Sequence, residues 1–247
     1  MDRSSQGIFI VIDGIDGAGK TTQVQLLGDA FEAAGESVVR SKEPTGGAWG
    51  RKLRESATNG RMPLDQELRA FVEDRKEHVA NVIQPAINAG SIVIVDRYFY
   101  STIAYQGSRG ADAKSIAGDM RALFPSPDVA FLLDADPVIT LHRIENGRGD
   151  SPNHFERLDQ LAVVRKVFLD IAQNDPVMRI IDGSQSINAV FEAIANVLIE
   201  GVLKQKRCAK PYPCDVFNCV PRLAGECNWA EIVPKLQGYQ KPTALLK

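Results

Sequence analysis

The sequence predicts an α/β fold built on a five-stranded parallel sheet with helices on both faces, followed by an irregular C-terminal extension. Two observations lead to this prediction. Short apolar runs typical of buried strands recur along the chain, and longer segments with helical periodicity separate them. Strands that alternate with helices form right-handed crossovers, which align the strands in parallel. In such a sheet, ligands bind at the carboxyl ends of the strands.

The predicted strands and helices alternate over residues 1–204. The strands are expected at residues 8–12, 37–40, 92–95, 129–133 and 178–181. The clearest helical patterns span residues 64–89, 137–145, 155–173 and 187–204, and an earlier helix begins near Thr22. After Lys204 the periodicity fades and prolines interrupt the chain. We therefore expect one domain over residues 1–204 and an extension of unknown role over residues 205–247.

Composition argues against several classes of protein. No apolar run approaches the roughly eighteen residues of a membrane helix, and the N-terminus carries no apolar signal segment. We therefore expect a cytoplasmic protein that does not contact membranes. Residues 205–247 contain seven Lys or Arg and three Asp or Glu, whereas residues 1–204 are net acidic. An acidic body argues against nucleic acid as the main partner.

The segment from Gly14 to Thr21 fits the pattern G-x-x-x-x-G-K-[ST], which binds nucleotide phosphates. Its backbone N–H groups can form an anion-binding nest between a strand and a helix N-terminus. Lys20 is expected on the β- and γ-phosphates, and Thr21 can offer its hydroxyl to Mg²⁺. The predicted phosphate-binding residues are Gly14, Asp16, Gly17, Ala18, Gly19, Lys20, Thr21 and Thr22.

Asp96 and Arg97 follow the strand predicted at residues 92–95. An Arg at the carboxyl end of a strand can donate two hydrogen bonds to an acceptor phosphate. The neighbouring Asp96 could hold Mg²⁺, directly or through water. Phosphoryl transfer between two anionic nucleotides needs such cations and a rigid in-line arrangement. A structural ion pair at a strand end is the alternative interpretation of these two residues.

Several motifs together resemble the thymidylate kinase family. They are Lys42-Glu43-Pro44, Phe71-Val72-Glu73-Asp74-Arg75, Asp96-Arg97-Tyr98 and Ser101-Thr102-Ile103-Ala104-Tyr105-Gln106-Gly107. The resemblance covers roughly the first 200 residues. It implies the three-layer P-loop kinase fold and an enzyme that transfers the γ-phosphoryl group of ATP to dTMP, giving dTDP, with Mg²⁺. It also implies a homodimer.

The resemblance further assigns a thymine-binding role to several side chains. Phe71 is expected to stack on the ring and Arg75 to donate a hydrogen bond to its O4 atom. Because Phe71 and Arg75 lie four residues apart, a helix places them on one face. Thymine and uracil carry an acceptor at that edge, whereas cytosine carries a donor. Thr102 and Gln106 are expected to add polar contacts to the base.

Other acceptor contacts follow from the same resemblance. Tyr105 is expected beside the 2′ position of the sugar, which implies a deoxyribonucleotide. Asp13 occupies a position where relatives carry a carboxylate, usually Glu, and is expected to orient the acceptor phosphate or the metal. Pro44 is expected to fix a loop against the sugar. Of Arg51 and Arg54, Arg54 is the preferred contact for the acceptor phosphate.

Relatives supply a catalytic arginine either from the phosphate loop or from a lid after the fourth strand. Gly17 stands at the loop position, so we expect the lid, at about residues 143–156, to supply it. Arg148 is then the predicted catalytic cation, and Arg143 is expected to support it or to border the adenine. Where relatives often read Arg-Phe-Glu after the lid, this chain reads His154-Phe155-Glu156.

Alternative functions remain open at this point. The nearest is a kinase for dUMP or a 5-modified dUMP, because the sequence does not reveal the volume around the thymine methyl group. A deoxynucleoside kinase usually reads Glu-Arg-Ser where this chain reads Asp96-Arg97-Tyr98. A regulatory GTPase is expected to carry Asn-Lys-x-Asp, which is absent from the sequence. A non-catalytic nucleotide-binding module is disfavoured by the presence of Lys20, Arg97 and Arg148.

The C-terminal extension contains four cysteines, Cys208, Cys214, Cys219 and Cys227. Zinc sites usually carry paired C-x₂₋₄-C knuckles, and only Cys214 and Cys219 come near such a spacing. Reduced structural cysteines are therefore favoured over a zinc site, and disulfides are the third alternative.

Overall fold

The computed structural model describes residues 7–148 and 154–207, together with Leu236, Gln237 and Tyr239. Within these residues, one five-stranded parallel sheet has the strand order β2-β3-β1-β4-β5. The strands are β1 (Ile8–Asp13), β2 (Val38–Lys42), β3 (Ile92–Asp96), β4 (Val129–Asp134) and β5 (Met178–Asp182). The predicted fold class is confirmed.

Each strand extends one or two residues beyond the apolar run that predicts it. The parallel ladder continues through polar residues where a partner strand is in register, as between Ile12 and Asp96 and between Asp134 and Asp182. The order in which strands are added to the sheet changes direction at β1, because β3 and β2 lie on one side of it and β4 and β5 on the other. Ligands of open parallel sheets bind at such a reversal. The phosphate loop and Arg97 both follow strands there.

Helices connect the strands and flank the sheet. They are α1 (Lys20–Ala33), α2 (Ala48–Asn59), α3 (Leu64–His78), α4 (Gln84–Asn88), α5 (Phe99–Gly107), α6 (Ala113–Leu123), α7 (Pro137–Arg148), α8 (His154–Asn174), α9 (Ile187–Leu198) and α10 (Lys204–Arg207). Of these, α1 contacts β1, β2, β3 and α9, whereas α8 contacts β4, β5 and α5. None of the described helices combines the length and apolar character of a membrane span.

Two helices predicted as single units contain a π-helical turn. Residues 79–83 form such a turn between α3 and α4, and residues 199–203 form another between α9 and α10, with a kink at Gly201. Such a turn inserts an extra residue without changing the composition of the helix, so periodicity does not reveal it. The helix predicted at residues 137–145 extends to Arg148.

Part of the C-terminal extension packs onto the body. Leu236 is fully buried and belongs to the main hydrophobic core. The ring of Tyr239 lies 5.7 Å from that of Phe191 in α9. Because Leu236 lies within the hydrophobic core, its burial stabilises the docked position of this short segment.

Candidate active site

The segment after β1 forms a loop that leads directly into α1. Gly14, Gly17 and Gly19 have positive φ angles of 144°, 79° and 96°. A Cβ at Gly17 would lie 2.3 Å from the backbone carbonyl oxygen of Thr140 in α7, so no side chain fits there. The loop therefore lies directly against the first turns of α7, and a catalytic arginine at position 17 is sterically excluded.

Lys20 is the first residue of α1 and is buried. Its Nζ atom donates a hydrogen bond to the carbonyl oxygen of Ile15 at 2.7 Å. Burial, and next the charge of Arg97, lower the pKa of Lys20 to about 8, against the opposing effect of nearby carboxylates. Phosphate oxygens beside Nζ would favour its charged form.

A cavity of about 620 Å³ opens over this loop. Residues 16–22 line it, together with Arg97, Arg143 and the start of α9. Arg143 donates hydrogen bonds to the carbonyl oxygens of Gly183, at 2.8 Å, and Ser184, at 3.2 Å. It thereby joins α7 to the segment that precedes α9. We refer to this cavity as the donor cavity.

Thr21 and Asp96 meet at the edge of the donor cavity. The Thr21 hydroxyl donates to Asp96 Oδ2 at 2.5 Å, and Asp96 Oδ1 is buried without a hydrogen-bond partner in the described residues. Among those residues, no group of three His, Cys, Asp or Glu side chains could hold a metal ion. Mg²⁺ bound to nucleotides needs only one or two protein ligands, with phosphate and water oxygens completing its octahedron. The pair therefore fits Mg²⁺.

Arg97 adopts a left-handed backbone conformation, with φ of 68°. Its guanidinium donates to the Gly14 carbonyl oxygen, to Ser101 Oγ at 2.9 Å and to Asp16 Oδ1 at 2.8 Å. Burial alone would lower the pKa of Arg97, but Tyr105 and the surrounding carboxylates raise it above its ordinary value. The guanidinium therefore stays charged at physiological pH.

Asp13 lies behind this arginine at the end of β1 and is fully buried. It accepts hydrogen bonds from the backbone N–H of Tyr98 at 3.0 Å and from Ser101 Oγ at 2.5 Å. Burial raises the pKa of Asp13 above its ordinary value, against the opposing effect of Arg97. Asp13 thus fixes the turn between β3 and α5 that carries Arg97.

A second, smaller cavity of about 190 Å³ lies on the other side of Arg97. We call it the acceptor cavity. Its lining includes seven of the nine residues predicted to hold the second nucleotide, namely Pro44, Phe71, Arg75, Arg97, Thr102, Tyr105 and Gln106, but not Asp13 or Arg54. Arg97 and Asp16 line both cavities. The two cavities therefore meet at one cation and one carboxylate.

Arg75 is held rigidly in the wall of the acceptor cavity. It is buried and pairs with Glu43, whose Oε2 atom lies 2.8 Å from Nε and 2.6 Å from Nη2. Nη2 also donates to Thr102 Oγ1 at 2.9 Å, which leaves the threonine O–H able to donate. The guanidinium lies 5.2 Å from the centre of the Tyr98 ring. This fixed orientation suits a hydrogen bond of defined direction.

Tyr105 connects the two cavities. Its hydroxyl donates to Asp16 Oδ2 at 3.0 Å, and the Arg97 guanidinium lies 5.3 Å from its ring centre. Burial raises the pKa of Tyr105, so the phenol stays neutral. Asp16 thus accepts from both Arg97 and Tyr105.

A family model for thymidylate kinase matches residues 12–194. The chain belongs to the thymidylate kinase family. It is 44% identical over 209 residues to a thymidylate kinase of Xanthomonas oryzae pv. oryzae, an alignment that covers 85% of this chain and 90% of that protein. A thymidylate kinase of Xylella fastidiosa is 43% identical over 194 residues, covering 78% of this chain and 88% of that protein.

Solved structures agree with this assignment. A crystal structure of thymidylate kinase from Ehrlichia chaffeensis superposes with a TM-score of 0.62 at 30% identity. The superposition covers 78% of this chain and 99% of that one. The chain is thus a nucleoside monophosphate kinase of the thymidylate kinase family, as its motifs predict.

Four further predictions concern residues that lie outside the acceptor lining or outside the described region. Arg54 donates to the Pro44 carbonyl oxygen at 2.9 Å, so it supports the acceptor loop without lining the cavity. Arg148 is the last residue of α7, and its side chain is outside the described residues. The same holds for lid residues 149–153 and for the four cysteines of the extension. Their proposed roles stay predictions.

Sequence reasoning missed several side chains of this thymidylate kinase site. Glu43 was visible as part of a motif, but its pairing with Arg75 across 32 residues was not. Ser101 was visible as part of a motif, but its contact with Arg97 was not, because Arg97 precedes α5 and has a left-handed backbone that no helical spacing predicts. Arg61 lines the acceptor cavity, and Glu67 lies behind it, without any sequence signal.

Proposed function

We propose that the protein transfers the γ-phosphoryl group of ATP to dTMP, giving dTDP, at the point where the donor and acceptor cavities meet. The observation that carries this assignment is the shared wall formed by Arg97 and Asp16. A kinase for two nucleotides must hold both sets of phosphates around common positive charge and in line. Family membership supplies the identity of the two nucleotides.

The donor side uses backbone N–H groups and Lys20 for the ATP phosphates. These groups recognise phosphate without regard to the base. Arg97 would exchange its contact with Asp16 for the acceptor phosphate, which offers two oxygens to the guanidinium fork. Asp13 keeps Arg97 in place through Ser101 and the turn before α5. Arg148 is proposed as the cation that stabilises the transferring group.

The acceptor side selects the base. Phe71 provides an apolar face for the pyrimidine ring, and Arg75 and Thr102 supply donors for its O4 atom. Because none of the Arg75 nitrogens can accept, the amino group of cytosine would leave donors unpaired. Tyr105, held by Asp16, is proposed to border the sugar and to disfavour a 2′-hydroxyl.

Thr21 and Asp96 are the residues proposed to hold Mg²⁺. When bound with ATP, the ion neutralises charge that develops on the phosphates. The unpartnered Oδ1 atom of Asp96 supports this proposal. A homodimer is proposed on the family resemblance, and a cytoplasmic location with no nucleic acid or membrane partner is proposed on the composition of the sequence.

The test is ADP release from ATP with the full-length protein and a panel of acceptors. The panel contains dTMP, dUMP, 5-hydroxymethyl-dUMP, dCMP, dGMP and thymidine. Preference for dTMP is expected. A preference for dCMP or dGMP would contradict the roles of Phe71 and Arg75, and activity on thymidine without dTMP would contradict that of Arg97. Comparison of dTMP with dUMP decides between the leading function and its nearest alternative.

The lid is tested with Arg148→Ala under saturating substrates. We expect turnover to fall on the order of 10³-fold, because transition-state charge would lack its partner. Arg143→Ala should mainly raise the KM for ATP, since Arg143 joins α7 to the segment before α9. Near-normal turnover in Arg148→Ala would remove Arg148 from the mechanism.

A further inference from the structure

Gln106 in α5 lines the acceptor cavity and is almost fully buried. Its Nε2 atom donates to Oε2 of Glu67 at 3.1 Å. Its Oε1 atom is buried and has no hydrogen-bond partner in the described part of the chain. A buried carbonyl oxygen without a partner is unfavourable unless a ligand supplies a donor.

Glu67 itself is fixed from two sides. Arg61 Nε donates to Glu67 Oε1 at 2.9 Å, and Arg109 Nη1 pairs with Oε2. The carboxylate is buried, and its oxygens accept from both guanidinium groups. An ionised carboxylate has acceptors only, so the Gln106 amide must turn its NH₂ group towards it. The carbonyl oxygen is then left as an acceptor for a bound base.

We infer that Glu67 is a positioning residue for base selection, which fixes the Gln106 amide so that its oxygen accepts a hydrogen bond from N3–H of the pyrimidine. Thymine and uracil carry a hydrogen on N3, whereas N3 of cytosine is an acceptor. With cytosine bound, the Gln106 oxygen would face the lone pair of N3, and this contact would be repulsive. This inference rests on the proposed function and adds a second atom by which the base is distinguished.

Glu67 is not among the residues that line the cavity, so it reaches a bound base through side chains that do, Gln106 and Arg61. Replacement of Glu67 by glutamine preserves the shape of the side chain but adds a donor. The introduced amide could then present either its oxygen or its NH₂ group to Gln106. The Gln106 amide could therefore rotate and offer its NH₂ group to N3 of cytosine. The inference thus predicts a gain of activity towards dCMP, which general damage to the fold would not produce.

The experiment measures kcat/KM for dTMP and dCMP at saturating ATP in four full-length proteins. They are the wild type, Glu67→Gln, Gln106→Leu and the double variant. In Glu67→Gln we expect the dTMP-to-dCMP ratio to fall about tenfold or more, with an absolute rise for dCMP. Gln106→Leu should also lower the ratio, and adding Glu67→Gln to it should change the ratio no further.

An unchanged ratio in Glu67→Gln, or an equal loss for both substrates, would overturn the inference. So would a further fall of the ratio in the double variant, because Glu67 would then act independently of Gln106. If thermal melting shows that Glu67→Gln does not fold, Glu67→Met, which removes the acceptor for the Gln106 amide, replaces it; the ratio should again fall, and an unchanged ratio is again decisive against the inference. A wild type that prefers dCMP contradicts the proposed function itself.

Discussion

The donor and acceptor cavities share Arg97, but the first is formed largely by backbone and the second by side chains. The donor side consists largely of backbone at Gly14, Gly17 and Gly19, which leaves N–H groups for phosphates. The acceptor side consists of side chains that are already paired, such as Arg75 with Glu43. Backbone amides recognise phosphate, which every nucleotide carries, whereas oriented side chains recognise a particular base.

This difference has a consequence for substitutions. The donor side should be sensitive to added volume, because the loop lies against α7 without space for a Cβ at Gly17. The acceptor side should be sensitive to lost partners, because its buried polar groups depend on one another. Loss of the Arg97 cation should affect both sides at once.

Arg97→Met should have the largest effect. We expect kcat/KM to fall by about 10³-fold or more, because the cation between the two sets of phosphates is lost. Equilibrium binding of dTMP should weaken, whereas binding of thymidine, which lacks the phosphate, should stay within about twofold. Arg97→Lys is the control, since it keeps the charge without the planar fork. Equal weakening for dTMP and thymidine would show that Arg97 holds the cavity rather than the phosphate.

Gly17→Ala should weaken ATP binding without affecting dTMP binding. We expect the KM for ATP to rise about 10- to 100-fold, because the new Cβ meets the Thr140 carbonyl oxygen and strains the loop. The Kd for dTMP should change by less than about twofold. Gly35→Ala is the matched control, with φ of 87° but no atom within 4 Å of a Cβ. An unchanged KM for ATP in Gly17→Ala would refute the steric argument.

Lys20 should make ATP binding depend on pH. Its pKa of about 8 lies below the value of an exposed lysine, and bound phosphates favour the charged form. ATP affinity should therefore fall up to about tenfold per pH unit above pH 8, with proton uptake on binding. Calorimetry in buffers of different ionisation enthalpy measures this uptake. In Lys20→Arg, which stays charged, the uptake should vanish; uptake that persists there belongs to another group.

The lowered pKa of Lys20 also determines how the free energy of unfolding changes with pH. Between pH 8 and the lysine pKa of the unfolded chain, the unfolded state binds more protons than the folded state. The contribution of Lys20 to the free energy of unfolding therefore increases with pH in this window.

The smallest effect on catalysis is expected from the docked C-terminal segment. Leu236→Ala should lower the free energy of unfolding by about 2–5 kcal/mol, because the side chain is fully buried in the core. Both KM values should remain within about twofold, since Leu236 lines neither cavity. Gln237→Ala, at an exposed neighbour, is the control. Thermal melting checks the prediction, and an unchanged Tm would show that this segment does not stabilise the body.

The sequence predicts most of the sheet because buried parallel strands consist of continuous apolar runs. The family resemblance assigns Phe71 and Arg75 to the base, and helical spacing predicts only that they share one face. Gln106 is also assigned by the resemblance, but its contact with Glu67 escapes such reasoning, since that contact spans 39 residues. The left-handed backbone of Arg97 also escapes it, because this conformation depends on buried hydrogen bonds from the Tyr98 N–H and Ser101 hydroxyl to Asp13.

The contact between Gly17 and Thr140 also restricts how this enzyme can evolve. A mutation that introduces arginine into the loop would place a side chain against the Thr140 carbonyl oxygen and an L-residue at φ of 79°. Such a variant would lose ATP binding before the new charge could take part in the reaction. The base of α7 would have to shift first. A change of residue at this point of the loop is therefore tied to the position of one helix.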